Sequence, residues 1–190
     1  MRKTIYTGFT IISLLLFAGA CSTPTPYQIY SYDMLFGKDM LKNREYTDAR
    51  RYFQEASAAY KDSAPLIYLA AVEYKMNNIE SALIFLQEAE KAGIDQMLSL
   101  RTLGYKALIL FRIDGEKGTA ALQDYVNYYR HQYPLMSIED VREMLQTGQI
   151  DNKRLEELID EQVSTYEQEI DQFLSDGTGF YDGRGSRPVR

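Results

Sequence analysis

Cys21 and His131 are the residues best suited to nucleophilic chemistry, and the chain contains one Cys and one His. A thiolate beside an imidazole is a competent nucleophile and base. Cys21, however, directly follows an apolar N-terminal segment. His131 falls at the predicted end of a helix, where an imidazole can interact with the helix dipole, so the sequence favours a structural role for it. A Cys/His zinc site needs more ligands than these two, and we expect no metal and no cofactor.

Adjacent carboxylates are the other residues that could do chemistry, and they occur at positions 139–140, 156–157 and 160–161. General acid and base catalysis requires such groups in a cleft with shifted pKa values. These pairs instead fall on charged faces of predicted helices, which solvate well. The segment 114–118 contains two glycines but lacks the spacing of a phosphate-binding loop. The sequence therefore predicts a protein that is not an enzyme.

The N-terminus has the three-part layout of a secretory signal. Residues 1–3 form a cationic head, residues 5–17 are largely apolar, and residues 18–21 read Ala-Gly-Ala-Cys. The apolar run is shorter than the ~20 residues of a comfortable membrane span. An ordinary signal peptidase would cut after Ala20 and leave Cys21 as a free thiol. The alternative is that Cys21 is acylated before cleavage at the same bond.

Residues 18–21 resemble a bacterial lipobox, and the single cysteine of the chain stands at the cleavage junction. We therefore expect residues 1–20 to be a lipoprotein signal peptide, and Cys21 to carry acyl chains that anchor the protein stably to a membrane. Ser22 follows the cysteine, which by analogy with lipoprotein sorting indicates the periplasmic face of the outer membrane. Residues 21–26 would then form a short tether, holding the folded part about 15–20 Å from the lipid.

The composition is that of a helical globular domain. Of 190 residues, 45% are hydrophobic and only 5 are Pro. No run alternates with a period of two, so the sequence predicts an all-α fold, with segment 114–118 as a loop between helices. The net charge of -6 argues against a nucleic-acid partner.

A repeat of about 34 residues runs through the helical region. Phe36-Gly37 recurs as Leu69-Ala70 and Leu103-Gly104, at offsets of 33 and 34. In the second helix of each pair, an Ala is followed four residues later by a large side chain: Ala49 and Phe53, Ala82 and Leu86, Ala121 and Tyr125.

This repeat pattern resembles the tetratricopeptide repeat (TPR). The resemblance implies a solenoid of about three helix pairs over residues 27–134, covered by C-terminal capping helices over residues 135–176. It also implies a partner-binding groove lined by the first helix of each pair. By register, the groove would comprise Met34, Lys38, Leu41, Lys42, Ile67, Ala71, Tyr74, Lys75, Arg101, Tyr105 and Leu108. Such a surface suits an extended peptide or an amphipathic helix. Ordinary solenoid packing is the alternative for each of these residues.

The last predicted helix is strongly acidic, with nine acidic and two basic residues in 151–176. An apolar stripe follows it at steps of three and four, from Leu155 to Leu174. We expect a capping helix that packs on the last repeat and turns an acidic face to water. The alternative is an exposed stripe that binds a partner helix or a second copy of the chain. Residues 177–190 are rich in Gly and Arg and are expected to be disordered.

Together these features predict a non-enzymatic, membrane-anchored TPR lipoprotein. It would act as a scaffold or adaptor for another envelope protein or peptide segment, in cell-envelope assembly or secretion. The rival hypothesis is a structural protein that binds peptidoglycan or exported polysaccharide through its tyrosines, of which the chain has 16.

Overall fold

The structure, a computed structural model, describes residues 23–132 and 137–176. These residues contain no strand, which confirms the all-α prediction. The helices are α1 (Pro26–Lys42), α2 (Tyr46–Ala59), α3 (Ala64–Lys75), α4 (Ile79–Ala92), α5 (Ser99–Phe111), α6 (Gly115–Gln132), α7 (Ile138–Thr147) and α8 (Asn152–Asp176), with a 3-10 turn at Gln96–Leu98 before α5. The expected signal peptide at 1–20, the expected lipidation site Cys21 and the tail at 177–190 lie outside the described residues, as does the side chain of His131.

Two helix starts follow directly from side-chain capping. Thr25 forms a capping box at α1, because its hydroxyl accepts from the Gln28 amide at 3.2 Å and its own amide donates to the Gln28 side chain at 2.8 Å. Asp151 caps α8 by accepting from the amides of Lys153 and Arg154, both at 3.0 Å. Both caps lie within three residues of the amides that they bind.

The prediction of a loop at 114–118 is wrong, because α6 already begins at Gly115. Asp114 caps this helix by accepting from the amides of Lys117 and Glu116, and these hydrogen bonds lower its pKa. Gly118 is a helical residue that permits a close approach to α5. A Cβ atom at this position would lie 2.5 Å from the Phe111 ring. The glycine there marks a helix contact and not a turn.

Successive helices pack as pairs: α1 with α2, α3 with α4, and α5 with α6. The small residue of the repeat lies against the ring of the paired helix in two of them. A Cβ atom on Gly37 would lie 2.6 Å from Phe53, and one on Gly104 would lie 3.2 Å from Tyr125. The first helices of the pairs also contact each other, α1 with α3 and α3 with α5. The adjacent helices α3 and α5 therefore form one surface, called the floor below.

The helix α8 packs on this floor through its apolar stripe and contacts α5. None of the helices in the described ranges is long and apolar enough to cross a membrane.

Candidate functional site

Carboxylates of α8 meet the cations and hydroxyls of α3. Lys75 Nζ donates to Glu156 Oε1 at 2.6 Å and also forms an ion pair with Asp160. The hydroxyl of Tyr74 donates to the second Glu156 oxygen at 3.2 Å. From α5, the Tyr105 hydroxyl donates to Asp160 at 2.8 Å. Two carboxylates of α8 are thereby bonded to the surface formed by α3 and α5.

Arg101 and Glu167 form the most enclosed ion pair of this interface. The guanidinium of Arg101 donates from two nitrogens, at 2.7 and 2.8 Å, to the two oxygens of Glu167. This bidentate geometry is the strongest form of such a pair. The hydroxyl of Tyr68 donates to the same carboxylate at 2.9 Å, and the guanidinium carbon lies 4.5 Å from the Tyr68 ring centroid. Lys38 Nζ lies 5.5 Å from the centroid of the same ring.

These contacts fix the protonation states of the buried groups: Lys75 and Glu167 stay charged and Tyr74 stays neutral. Burial lowers the pKa of Lys75, but the carboxylates of Asp160 and Glu156 outweigh it, so the pKa is raised overall. Burial raises the pKa of Glu167, but Arg101 outweighs it, so this pKa lies below its usual range. Burial and Glu156 together raise the pKa of Tyr74 to about 12. All three groups therefore hold fixed protonation states at neutral pH.

The exposed acidic residues of α8 include Glu157 and Glu161. Three other carboxylates of the helix, those of Glu156, Asp160 and Glu167, contact α3 and α5 instead. The apolar stripe is buried from Leu155 to Ile170, and no stripe residue in that range exceeds 9% exposure. Its last members are exposed, with Phe173 at 38% and Leu174 at 63%.

The apolar stripe makes α8 part of the hydrophobic core. Six of its side chains are buried: Leu155, Leu158, Ile159, Val163, Tyr166 and Ile170. Burial of each contributes about 1.5–3 kcal/mol before the conformational entropy of the helix is counted. The open space for a ligand therefore lies beside α8 and not beneath it.

A channel of about 480 Å³ remains between α1 and α8, above the floor of α3 and α5. Six of the groove residues predicted from sequence line it: Lys38, Leu41, Lys42, Lys75, Arg101 and Tyr105. The other five do not. Ile67, Ala71 and Leu108 are in the core, with at most 2% exposure, and Tyr74 is 5% exposed and bonded to α8. Met34 lines a neighbouring cavity.

The α1 side of the channel carries basic residues that form no ion pair with a described residue, although Lys38 still interacts electrostatically with Glu167. Lys38, Lys42 and, just beyond the helix, Arg44 line it, and no described carboxylate lies within ion-pair distance of them. Asp39 lies on the same wall and Asp171 on the α8 wall. A ligand in the channel would meet, on one side, basic side chains that form no ion pair in the described part of the fold.

A second cavity of about 240 Å³, here called the side pocket, adjoins the channel towards the start of α1. The two cavities share the residues Lys38, Tyr68, Glu167 and Asp171. The two cavities therefore lie next to each other along α8, and together they are called the groove below.

Sequence reasoning missed Glu156, Asp160 and Glu167 as contacts of the floor. The signal was available, because steps of four and seven residues place these carboxylates on one face of a helix. Lys75 and Arg101 had already been assigned to the facing surface. The buried hydrogen bond between the Tyr125 hydroxyl and Gln162 has no comparable charge signal in the sequence.

The α8 carboxylates that face the floor are paired with cations and hydroxyls, as described above. Asp33 is the exception in α1, because burial and then Glu55 raise its pKa and one of its oxygens has no hydrogen-bond partner. It lines neither cavity. In the described ranges, no group of three or more His, Cys, Asp and Glu residues could hold a metal ion.

Comparison of this chain with protein-family models, with curated proteins and with solved structures found no match.

Proposed function

We propose that the protein is a non-enzymatic, membrane-anchored adaptor built of TPR-like helix pairs, and that its channel binds a segment of another envelope protein. The observation that carries this proposal is the channel itself. It combines three basic residues that form no ion pair among the described residues, Lys38, Lys42 and Arg44, with an opposite wall provided by α8. The contacts of Gly37 with Phe53 and of Gly104 with Tyr125 support the TPR-like register.

The proposed location rests on the sequence. Cys21 would carry the lipid anchor, with Ser22 directing the protein to the outer membrane and its folded part facing the periplasm. Since α1 begins at Pro26, the channel would be held close to the lipid surface. Confinement there raises the effective concentration of the channel for a membrane-bound partner.

The size of the channel favours an extended peptide over a helix as the bound segment. A helix is about 10 Å across, so 480 Å³ would hold only about one helical turn. An extended strand is narrower and can place its carboxylates against the α1 cations. The proposed partner segment is therefore extended and acidic where it faces α1.

The test is chemical crosslinking in cells, followed by identification of the crosslinked proteins. We expect the double variant Lys42→Glu with Arg44→Glu to lose crosslinked proteins that the wild type retains. The control is Lys91→Glu with Lys153→Glu, which makes the same charge change at exposed positions outside the channel. An unchanged set of crosslinked proteins in the channel variant would contradict the proposal.

The rival function, glycan binding, is favoured by one observation. Tyr27 and Tyr60 are 61% and 45% exposed, and their ring centroids lie 5.7 Å apart, with Tyr30 beside both. Exposed aromatic faces of this kind can cover the apolar face of a sugar ring. Sedimentation with purified cell-wall sacculi tests this: Tyr27→Ala with Tyr60→Ala should abolish co-sedimentation if the rival is right, and wild type that stays in solution would rule it out.

A further inference from the structure

The groove along α8 changes its charge from one end to the other. Residues that line only the channel include four basic side chains, Lys42, Arg44, Lys75 and Arg101, and two acidic ones, Asp39 and Asp160. The charged residues that line only the side pocket are Asp62 and Asp95. With the shared side chains included, the channel is lined by five basic and four acidic residues and the side pocket by one basic and four acidic residues, so the side-pocket end is the more negative. Lys75 and Arg101 are already paired with carboxylates of α8, so the basic residues of the channel that form no ion pair within the described ranges lie on its α1 side.

The negative end also has an apolar lining. Met34, Met97, Ile170 and Leu174 line the side pocket. Met97 is 44% exposed and Leu174 is 63% exposed, so this surface is open to solvent. Methionine side chains adapt to ligands of different shape. An apolar surface edged by carboxylates suits the stem and head of a lysine or arginine, whose methylene groups can be covered while the charge reaches the edge.

The carboxylates of the side pocket are already oriented by the fold. Asp62 accepts from the Tyr30 hydroxyl at 2.6 Å and from the Ala64 amide at 3.1 Å. Asp95 accepts from the Met97 amide at 2.8 Å. Each carboxylate oxygen can accept more than one hydrogen bond, so both groups remain able to receive a cationic head.

The two ends are separated by a distance that sets the length of the ligand. Tyr30 lines the side pocket and Lys42 lines the channel, and both belong to α1. At 1.5 Å per helical residue they lie about 18 Å apart along the helix. An extended chain covers that distance with about six residues.

We propose that the groove selects an extended peptide with an ordered charge pattern: carboxylates at one end and, about six residues away, a lysine or arginine. The acidic end faces Lys42 and Arg44, and the basic side chain enters the side pocket. This inference rests on the proposed function and names the chemistry of its partner. A uniformly acidic peptide would place carboxylates against Asp62 and Asp95, and a uniformly basic one would place cations against Lys42 and Arg44. The groove therefore also rejects peptides that carry charge of only one sign.

The test is affinity selection of a random peptide library on the purified full-length chain. We expect enriched peptides to carry Asp or Glu in one half and Lys or Arg in the other. On the double variant Lys42→Glu with Arg44→Glu, peptides with the acidic half should be depleted about tenfold, since exposed charge contacts are individually weak. The preference for a basic residue in the other half should persist. The control variant Lys91→Glu with Lys153→Glu should select the wild-type pattern.

Enriched peptides without charge order, the same pattern on wild type and channel variant, or no enrichment would each overturn the inference. The proposed function has a separate readout, because crosslinking in cells reports whether the channel is occupied at all. Channel-dependent crosslinks without a charge pattern in the library would mean that the adaptor function stands and the charge-ordered ligand is wrong.

Discussion

Replacement of Gly104 by alanine tests directly whether α8 lies against α5. A Cβ atom on Gly104 would lie 2.6 Å from Ile159 Cγ2 of α8 and 3.2 Å from Tyr125 Cε2 of α6. The first separation is well inside the ordinary contact distance between carbon atoms of about 3.5–4.0 Å. Gly104→Ala therefore forces either α8 or the Ile159 side chain to move.

The expected magnitude combines two opposed effects. Alanine in a helix interior is about 1 kcal/mol more favourable than glycine. Overpacking of a buried site costs about 1–3 kcal/mol. We therefore expect Gly104→Ala to lower the free energy of unfolding by about 1 kcal/mol, because the overpacking outweighs the gain in propensity.

The matched control is Gly115→Ala at the start of α6, where no atom lies within 4 Å of the added Cβ. This variant is expected to be as stable as the wild type or more stable. A second comparison uses Ile159→Ala, which removes the atom that the new Cβ would meet and costs about 2–5 kcal/mol alone. The double variant should lose about 1–2 kcal/mol less free energy of unfolding than the two single variants lose together, because the alanine at 104 fills part of the space left at 159.

Urea unfolding followed by far-UV circular dichroism measures these differences, since the chain has no Trp to report on packing. Equal stability of the two glycine variants, together with additive effects at positions 104 and 159, would refute the placement of α8 on α5.

Three further results are expected. Glu167→Gln should lower the free energy of unfolding at neutral pH by about 3 kcal/mol, because it leaves Arg101 buried without its partner. Folding lowers the pKa of Glu167, so its contribution to stability is present above the unfolded-state pKa and is lost as the pH falls through the folded-state pKa. The stabilities of the two proteins, measured by unfolding, should therefore converge in acid, and a constant gap would contradict the pairing. Folding raises the pKa of Tyr74 from 10.0 to about 12, so the stability of the wild type should fall as the pH rises between those values, and that of Tyr74→Phe should fall less. If stability measured by unfolding falls equally in both proteins, the contact with Glu156 is contradicted. Cys21→Ser should release the protein from the membrane fraction and abolish labelling by a fatty-acid analogue, whereas unchanged retention would argue against the anchor.

The parts of the fold that could be predicted from the sequence are those encoded locally. The caps at Thr25 and Asp151 are read from side chains a few residues from the amides they bind. The positions of Gly37 and Gly104 against aromatic rings follow from a repeat whose members lie in adjacent helices. Local spacing sufficed in each case because the partners are close in the chain.

The parts that could not be predicted depend on contacts between distant segments. Arg101 and Glu167 are 66 residues apart, and nothing in the helical period of either segment specifies how α8 is placed on α5. The groove residues were assigned by register to one open surface, but α8 covers Tyr74 and leaves Lys42 in the channel. Gly118 was misjudged for a related reason, because a glycine at a helix crossing has the same sequence signature as one in a loop.

Photo-crosslinking in cells from single positions tests the central claim, that a partner lies in the channel between α1 and α8. A photoreactive amino acid in place of Lys42, which lines the channel, is compared with one in place of Glu88, which is exposed on α4. We expect a discrete crosslinked product from position 42 that position 88 does not give, and we expect Arg44→Glu to diminish it. Equal products from both positions, or a product from position 88 alone, would contradict the account.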